Sequence, residues 1–318
     1  MGWGKIAKKF ASDLSLLNDA ELIAIASYTL PKQASPADLS VKYIHHTYED
    51  LVKNNEVDVI YIATPHGMHH ENALLCLENG KAVLCEKAFA LNRRQAEEMV
   101  EAASKNEVFL MEAMWTKFLP HFKELKQIID SGKIGQLKYM STQFGFIPVA
   151  PFADRIFDPK LGGGSLLDIG VYNVFLTLNM LGKPDLVHSM VTRAPTGVDA
   201  QCAANFQYQS GAIAQLYSTF SANLATEAHI CGDQGRIKLS HRFYAPQTTI
   251  EFYSGGMETR EEIPFEQFPG WGYQHEALHV AECLRNGLIE SPVMSWSDTL
   301  LQMEIMDTIR QQAGYEFV

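Results

Sequence analysis

Short apolar runs alternate with stretches of helical spacing over the first third of the chain. The apolar runs lie at Glu21–Ala26 (ELIAIA), Val57–Ala63 (VDVIYIA), Ala82–Cys85 and Val108–Met111. Runs of this kind are typical of strands that are covered on both faces. Amphipathic stretches, such as Ala7–Leu17, separate them. This alternation predicts a parallel sheet with helices packed against it.

The pattern changes after about residue 115. Strands joined by short turns are predicted at Gln136–Phe146, Val187–Arg193, Ala200–Tyr208, Ala212–Ser218, Glu227–Cys231, Arg236–Leu239, Thr248–Tyr253 and Glu258–Ile263. Consecutive hairpins indicate an open, mostly antiparallel sheet. Two helices should close the chain, at about Tyr273–Asn286 and Ser297–Ala313. We therefore predict an α/β chain of two domains, residues 1–117 and residues 118–318.

Composition narrows the class of protein. The 318 residues are 47% apolar and 20% charged, with a formal net charge of −11. A negative net charge argues against general binding to nucleic acid or to an anionic membrane. No apolar run reaches the length of a membrane span, and the five cysteines share no metal-ligand spacing. We expect a cytoplasmic protein with free thiols and no bound metal.

The chain opens with the glycine pattern G-x-G-x-x-A, formed by Gly2, Gly4 and Ala7. Such glycines let the backbone approach a pyrophosphate, which the N-terminus of the following helix attracts. The pattern normally follows a buried strand, but only Met1 precedes Gly2. We expect the first strand to be missing, because of a truncated start or in a protein with a damaged cofactor site. Met1 and Gly2 are expected to fray, as free chain ends do.

The segment after Glu21–Ala26 bears on the choice of dinucleotide. It reads Ser27-Tyr28-Thr29 and contains no acid that would bind the ribose 2′-hydroxyl of NAD. A 2′-phosphate would not be repelled there, and Lys32 is the nearest cation. We therefore expect NADP or NAD as the cofactor, with NADP preferred.

Two further segments, Thr64–His69 and Glu86–Ala88, come directly after predicted strands. Ligands of parallel sheets bind beyond the carboxyl ends of the strands, so both segments are candidates for a binding site. A lysine in such a place, here Lys87, is more often a solvated loop residue than a catalytic one.

The stretch Gly162–Tyr172 reads GGGSLLDIGVY. If Gly164–Leu181 is a helix, Asp168 and Tyr172 are four residues apart and lie on one face. The neighbouring positions are apolar, so the helix is expected to be buried. A carboxyl group and a phenol in a cleft are candidates for proton transfer, and the alternative is a buried helix with two satisfied polar residues.

These motifs together resemble the Gfo/Idh/MocA oxidoreductase family over essentially the whole chain. The resemblance rests on GWGKIA at Gly2–Ala7, ATPHGMHH at Ala63–His70, CEKA at Cys85–Ala88, MEAMW at Met111–Trp115 and the Gly162–Tyr172 stretch. Most members carry histidine four residues after the aspartate, where this chain has Tyr172. That tyrosine, Trp115 and the FDPKLGGG segment at Phe157–Gly164 resemble the branch of dimeric dihydrodiol dehydrogenase, D-xylose dehydrogenase and glucose–fructose oxidoreductase.

The resemblance implies an N-terminal Rossmann domain for the dinucleotide and a C-terminal α+β domain for substrate binding and dimerisation. The catalytic positions it implies are Lys87, Asp168 and Tyr172. The cofactor-binding positions it implies are Gly2, Gly4, Lys5, Ile6, Ser27, Tyr28, Thr64, Pro65, His66, His69, Glu86 and Lys87. The substrate-binding positions are Trp115, Arg155, Asp168 and Tyr172.

The implied reaction transfers a hydride between nicotinamide and a small polyhydroxylated substrate, a sugar or a cyclic trans-diol. We expect Tyr172 to act as the acid/base. A free phenol has a pKa of about 10, which a neighbouring ammonium such as that of Lys87 lowers. Asp168 would orient the substrate or the lysine. The alternatives are a non-catalytic ligand sensor of the same fold, a truncated inactive enzyme, and a redox-neutral lyase or hydrolase that uses bound NAD.

Two positions depart from the family pattern. Ala88 replaces the proline after the lysine, where a cis peptide bond is costly without proline. Tyr28 stands where NADP-using relatives often carry arginine.

Overall fold

Helices and strands alternate up to residue 115, and strands dominate from residue 137 to residue 263. The computed structural model describes residues 1–31, 35–149, 155–254 and 259–315. The helices are α1 (Lys5–Leu14), α2 (Tyr48–Val52), α3 (His69–Glu78), α4 (Arg93–Asn106), α5 (Pro120–Asp130), α6 (Val171–Leu181), α7 (Tyr273–Arg285) and α8 (Trp296–Gln312). The strands are β1 (Ala24–Ala26), β2 (Tyr43–His45), β3 (Val59–Ile62), β4 (Ala82–Glu86), β5 (Leu110–Ala113), β6 (Leu137–Gly145), β7 (Leu186–Arg193), β8 (Asp199–Gln207), β9 (Ile213–Thr219), β10 (Ala228–Gly232), β11 (Gly235–Leu239), β12 (Ile250–Ser254) and β13 (Thr259–Ile263).

The chain forms two compact units. The first contains Met1–Trp115 and Phe268–Leu300, and the second contains Thr116–Gln267 and Leu301–Val318. The sequence prediction assigned every residue after 117 to the second domain, whereas Phe268–Leu300, which includes α7, packs with the first unit.

The first unit has parallel strands in two separate sheets. One sheet pairs β1 with β2, and the other has the order β3-β4-β5. All five residues of β4 are buried, as expected for a central parallel strand that is covered on both faces. Side chains fix two helix starts, because Thr47 accepts a hydrogen bond from the Asp50 N–H and Asn92 accepts one from the Gln95 N–H.

The first element in the described part of the chain is α1. Met1 and Gly2 are nevertheless hydrogen-bonded to the chain on both sides, so the prediction that they fray is wrong. The Gly2 N–H donates to the Ala26 carbonyl oxygen over 2.9 Å. The Met1 amino group donates to the Tyr61 carbonyl oxygen over 2.7 Å, and the Ala63 N–H donates to the Met1 carbonyl oxygen over 2.9 Å. Backbone pairing therefore fixes the glycine turn.

The second unit contains one eight-stranded sheet in the order β13-β12-β11-β10-β6-β9-β8-β7. Neighbouring strands are antiparallel except β6 and β9, which are parallel, so the prediction of an open, mostly antiparallel sheet is confirmed. Helix α6 contacts β6 and β9 and covers one face of the sheet.

The stretch that contains α6 is strongly apolar. Pro159–Leu181 is long and apolar enough to pass as a membrane span, with a mean hydropathy of 1.3 over 18 residues, although we expected no such run. In the structure 89% of that 18-residue window is buried within the protein, which is also typical of the core helix of a globular domain.

Candidate active site

Gly2 shapes the turn before α1. Its φ is +83°, which L side chains rarely adopt, and a Cβ atom on it would lie 2.8 Å from the Ala63 carbonyl oxygen. Gly4 is the N-cap of α1, and the space where its Cβ would stand is open. The first turn of α1 has no acidic side chain, and its residues Lys5 and Ile6 are exposed. An anion can therefore reach the free N–H groups at the start of α1.

Ser27 and Tyr28 come directly after β1. Ser27 is buried, and its hydroxyl lies 3.0 Å from the hydroxyl of Thr29, while Tyr28 is 58% exposed. Lys32, the cation expected nearby, lies outside the described residues. The end of β1 thus presents hydroxyl groups and no carboxylate.

His69 joins the segments at the ends of β3 and β4. Its ring is buried, with Nδ1 2.9 Å from the Ala88 carbonyl oxygen and Nε2 2.9 Å from the Thr64 carbonyl oxygen. Burial lowers the pKa of His69 to about 4, so the ring is neutral at pH 7 and donates from one nitrogen. Since both ring nitrogens face backbone carbonyl groups, His69 positions these two loops.

The loop after β3 is itself well packed. The Thr64 hydroxyl accepts a hydrogen bond from Asn72 Nδ2 over 3.0 Å. Pro65 precedes a short 3₁₀ turn at His66–Met68, and the buried His66 ring lies 5.6 Å from the His69 ring.

Lys87 comes directly after β4. The buried carboxylate of Glu86 accepts hydrogen bonds from the Tyr61 hydroxyl and from the Lys87 N–H, the latter over 3.1 Å. The Lys87–Ala88 peptide bond is cis, although no proline follows the lysine. Lys87 is half-buried at the carboxyl end of β4, the end at which parallel sheets bind ligands.

Trp115 belongs to an aromatic stack inside the first unit. Its ring lies 4.8 Å from that of Tyr273 and nearly parallel to it. Phe10 lies 6.3 Å from Tyr273 and stacks on Tyr61 at 3.9 Å. Trp115 is 7% exposed, so most of its surface is used in packing.

Glu276 is an acid that the sequence did not single out. It lies in the first turn of α7, fully buried, and neither carboxyl oxygen has a hydrogen-bond partner among the described residues. Burial, and then the nearby Glu86 carboxylate, raise the pKa of Glu276 well above its usual value. The neutral form is favoured because an unpaired carboxylate is far more costly to bury.

In the second unit, two glycines are required by close contacts. A Cβ atom on Gly163 would lie 2.6 Å from the Ile156 carbonyl oxygen. Gly164 has a φ of +118°, and a Cβ atom there would lie 2.3 Å from Asp199 Oδ1. The three-glycine segment therefore folds tightly against its neighbours.

Asp199 anchors the residues that come directly after these glycines. Its buried carboxylate accepts hydrogen bonds from the Ser165 hydroxyl and the Leu166 N–H, each over 2.7 Å. It also accepts one from the Tyr315 hydroxyl over 2.5 Å. Burial raises the pKa of Asp199, although these hydrogen bonds oppose the shift.

The helix expected over Gly164–Leu181 differs at its start. Leu166–Gly170 form a π turn, and regular α-helix begins at Val171. A uniform α-helix from Gly164 is therefore not formed. The wider π turn at its start carries Asp168. Single π turns of this kind are frequent at functional sites.

Asp168 and Arg155 form an ion pair. Arg155 Nη2 lies 3.2 Å from Asp168 Oδ1, with the Asp168 side chain 11% exposed and that of Arg155 46% exposed. The carboxylate thus faces an accessible cation.

Tyr172 lies in an aromatic cluster formed with Phe144 and Tyr244. Its ring lies 4.5 Å from Tyr244 and 6.1 Å from Phe144, and these two stack on each other at 4.6 Å. Arg242 approaches the Tyr244 ring to 5.7 Å. Burial raises the pKa of the Tyr244 phenol, with Arg242 acting in the opposite direction. The Asp168 carboxylate is close enough to Tyr244 to raise the pKa of that phenol further.

The sequence of the chain is similar to those of known oxidoreductases over its whole length. Residues 1–114 match the sequence pattern of an oxidoreductase family with an NAD-binding Rossmann fold, and residues 122–238 match the GFO/IDH/MocA C-terminal domain. A trans-1,2-dihydrobenzene-1,2-diol dehydrogenase of Xenopus tropicalis is 37% identical over 99% of this chain and 97% of its own length. The chain belongs to the Gfo/Idh/MocA oxidoreductase family.

Solved structures of Gfo/Idh/MocA oxidoreductases share the fold. An aldose-aldose oxidoreductase from Caulobacter crescentus superposes with a TM-score of 0.87 at 22% identity, over 96% of this chain and 93% of its own. A 3-ketoreductase from Actinomadura kijaniata, in complex with NADP, gives a TM-score of 0.85 at 24% identity, over 97% and 95%. The family assignment makes this chain an oxidoreductase of the dehydrogenase type.

The family motifs predicted some of the polar residues described above and missed others. Lys87 lies in the first unit, and Asp168 and Tyr172 lie in the second, each at an element that the motifs predicted. The motifs missed Glu276, Asp199 and Tyr244. Asp199 opens a predicted strand after a turn, and no spacing marks it as the partner of Ser165.

We predict that Glu276→Gln flattens the pH dependence of stability. The wild-type free energy of unfolding should fall as pH rises above about 4.5, because Glu276 ionises in the unfolded chain before it does in the folded one. The slope is about 1.4 kcal/mol per pH unit until the folded pKa is reached. The variant should lack this slope in urea denaturation between about pH 5 and pH 8.

The exposed Glu101 in α4 gives the control. Glu101→Gln should follow the wild-type curve at every pH. If Glu276→Gln shows the wild-type slope as well, the neutral buried acid is wrongly assigned.

Proposed function

We propose that the protein is an NAD(P)-dependent dehydrogenase that oxidises a hydroxyl-bearing carbon of a cyclic trans-diol or a sugar. The observation that carries the proposal is the cluster of Tyr172, Tyr244 and Phe144 beside the Asp168–Arg155 ion pair. Aromatic faces suit the apolar face of a ring, and the ion pair suits its hydroxyl groups. The name of the Xenopus tropicalis relative, a dehydrogenase of a dihydrobenzene diol, supports a substrate of this shape.

Each proposed role rests on the chemistry of alcohol oxidation. Bound NAD(P) supplies the hydride acceptor. Tyr172 takes the hydroxyl proton, so that a carbonyl group forms as the C–H bond breaks. Lys87 is proposed to favour the phenolate electrostatically and to donate a hydrogen bond to the substrate oxygen. Asp168, held by Arg155, orients a second hydroxyl of the substrate, and Trp115 contributes an apolar wall.

The cofactor is proposed to lie on the first unit. Gly4 leaves room above α1 for a pyrophosphate and Gly2 shapes the turn before it, with the N–H groups of Lys5 and Ile6 available. The remaining proposed contacts are the ends of three strands, at Ser27, Tyr28, Thr64, Pro65, His66, His69, Glu86 and Lys87. The first turn of α1 carries no acid, so no negative charge there repels the pyrophosphate.

We predict that Tyr172→Phe removes only the proton acceptor. The ring keeps its stacking on Tyr244, while kcat with the best trans-diol or sugar substrate should fall roughly 10²- to 10⁴-fold. The dissociation constant of the dinucleotide, from fluorescence titration, should stay near the wild-type value.

Tyr208→Phe is the matched control, because Tyr208 is also a buried phenol of the second unit and its hydroxyl meets the Gly182 carbonyl oxygen. It should leave kcat within a few-fold of the wild type. A Tyr172→Phe variant that retains most of its kcat would remove Tyr172 from the mechanism.

We predict that NADP binds more tightly than NAD. The reason is that Ser27 and Tyr28 bring no carboxylate to the end of β1, so neither side chain repels a 2′-phosphate or binds a 2′-hydroxyl as an acid would. Tyr28→Asp should reverse the preference through charge repulsion, and Tyr28→Asn should not. Fluorescence titration of both dinucleotides measures this, and tighter binding of NAD to the wild type contradicts the proposal.

We also propose that the protein is a homodimer formed through the open face of the eight-stranded sheet. Tyr139 pairs with Ile213 across neighbouring strands, and both are exposed, at 37% and 49%. Leu186 and Met190, four residues apart on the edge strand β7, share a face and are 52% and 70% exposed. Exposed apolar side chains concentrated on one sheet mark a protein interface.

Light scattering tests the dimer. Met190→Lys combined with Ile213→Lys should halve the mass of the particle, because two buried ammonium groups would oppose association. Val293→Lys changes an apolar residue that is 37% exposed outside the sheet and should leave the mass unchanged. A monomeric wild type at micromolar concentration would contradict the proposal.

A further inference from the structure

Tyr315 lies in the second unit, just after the end of α8, and its phenol is directed at a residue far away in the chain. The Tyr315 hydroxyl donates to Asp199 Oδ1, which belongs to a residue 116 positions earlier, over 2.5 Å. Asp199 is fully buried where β8 begins. Neither residue belongs to a family motif or has a role in the proposed reaction.

The backbone on either side of this phenol is held in place. The Tyr315 N–H donates to the Arg310 carbonyl oxygen over 3.1 Å, which satisfies one of the last carbonyl groups of α8. From β7, Arg193 Nη2 donates to the Gly314 carbonyl oxygen over 2.9 Å, and the guanidinium lies 5.0 Å from the centre of the Tyr315 ring. Contacts with α8 and with β7 therefore fix the ring where its hydroxyl meets Asp199.

The two oxygens of Asp199 join this phenol to the start of the π turn. Oδ1 accepts from Tyr315, while Oδ2 accepts from the Ser165 hydroxyl and from the Leu166 N–H, each over 2.7 Å. Burial raises the pKa of Asp199, and the hydrogen bonds from Tyr315 and Ser165 lower it. Loss of the Tyr315 hydroxyl would therefore favour the neutral acid, which is a weaker acceptor for the Leu166 N–H.

Other titratable and charged groups leave Asp199 as the one whose charge this hydroxyl controls. Burial, and then Asp199, raise the pKa of Tyr315, so the phenol keeps its proton and can donate. Burial also raises the pKa of the nearby Cys202 thiol, which is thus neutral at pH 7. Arg310 from α8 and Arg193 from β7 act on Tyr315, and guanidinium groups stay charged in proteins.

The π turn itself is closely packed at both ends. The Ser218 hydroxyl, on β9, lies 3.1 Å from the Ser165 hydroxyl, and a Cβ atom on Gly170 would lie 3.0 Å from it. Asp168 lies between these two ends. Since close packing leaves the turn little free space, a displacement at Leu166 also displaces Asp168.

We propose that Tyr315 is a positioning residue, which acts through Asp199 on the π turn that carries Asp168 and leads to Tyr172. It keeps the Asp199 carboxylate charged near pH 7 and thereby keeps the Leu166 N–H bound to it. The proposal rests on the proposed function in one respect, namely that Asp168 and Tyr172 act on the substrate.

The test compares Tyr315→Phe with Tyr253→Phe as the matched control. The Tyr253 hydroxyl also donates to a carboxylate, that of Glu251, over 2.6 Å. Its strand, β12, is separated from β8 by β11, β10, β6 and β9 in the order of the sheet. Each substitution therefore removes one hydroxyl from a carboxylate of the second unit and keeps the ring.

Amide hydrogen exchange measures the turn without any substrate. Tyr315→Phe should speed exchange at Leu166 by about tenfold, because the opening of the turn becomes easier. Exchange at Ala204, a buried residue of β8, should stay near the wild-type rate, since the strand does not depend on the phenol. Tyr253→Phe should change neither rate.

Kinetics measure the consequence for the reaction. With a trans-diol or sugar that the wild type oxidises, the acid limb of kcat/KM against pH should move upwards by roughly one pH unit in Tyr315→Phe, because the lost hydrogen bond stabilised the charged carboxylate. The dissociation constant of the dinucleotide, which is proposed to bind the first unit, should stay near the wild-type value. Tyr253→Phe should leave the profile in place.

Three outcomes would overturn the proposal. Wild-type exchange at Leu166 in Tyr315→Phe would mean that the hydroxyl does not hold the turn, whichever reaction the protein catalyses. Equal acceleration at Leu166 and Ala204 would assign Tyr315 to overall stability alone. Faster exchange at Leu166 with an unchanged pH profile would show that the reaction does not depend on the turn. If the wild type oxidises no trans-diol or sugar, the proposed function fails by itself, and exchange at Leu166 still decides whether Tyr315 positions the turn.

Discussion

The second unit depends on one buried carboxylate, that of Asp199. It binds the Ser165 hydroxyl and the Leu166 N–H at the point where the chain leaves the three glycines and enters the π turn. Gly164 has no side chain because Asp199 occupies the space a Cβ atom would need. The start of the helical segment is thereby fixed, and it sets the directions of Asp168 and Tyr172. Gly164, Ser165 and Asp199 therefore depend on one another, and a change in any of them displaces the other two.

Much of the fold could be predicted from the sequence because it depends on local patterns. All eight predicted strands of the second unit are present, since alternation and short turns specify hairpins within a few residues. The strand β2 was missed because Tyr43–His45 is short, half-buried and not apolar enough to stand out. The attachment of Phe268–Leu300 to the first unit was missed for another reason. It depends on long-range contacts, such as those of the Asp13 carboxylate with backbone N–H groups of Trp271 and Tyr273, which no local pattern encodes.

The residues of the candidate site also fall into two groups, those that a local sequence pattern predicts and those that only folding brings together. Family motifs identify Lys87, Asp168 and Tyr172 because each lies in a contiguous stretch of unusual residues. Tyr244 and Glu276 lie in ordinary stretches, and only folding brings Tyr244 onto Tyr172 and Glu276 near Glu86. Residues whose partners come from distant parts of the chain therefore carry no local signal in the sequence, whereas the proposed catalytic residues lie in family motifs.

Burial also decides which groups of the first unit carry charge at pH 7. The Met1 amino group and the His69 ring have pKa values lowered to about 6 and about 4, and the pKa of Glu276 is raised, so all three favour their neutral forms. Glu86 differs because hydrogen bonds from the Tyr61 hydroxyl and the Lys87 N–H can stabilise its carboxylate. A buried cation would compete with the positive helix end for an anionic ligand, whereas a buried carboxylate would repel that ligand, and desolvation disfavours both charged forms.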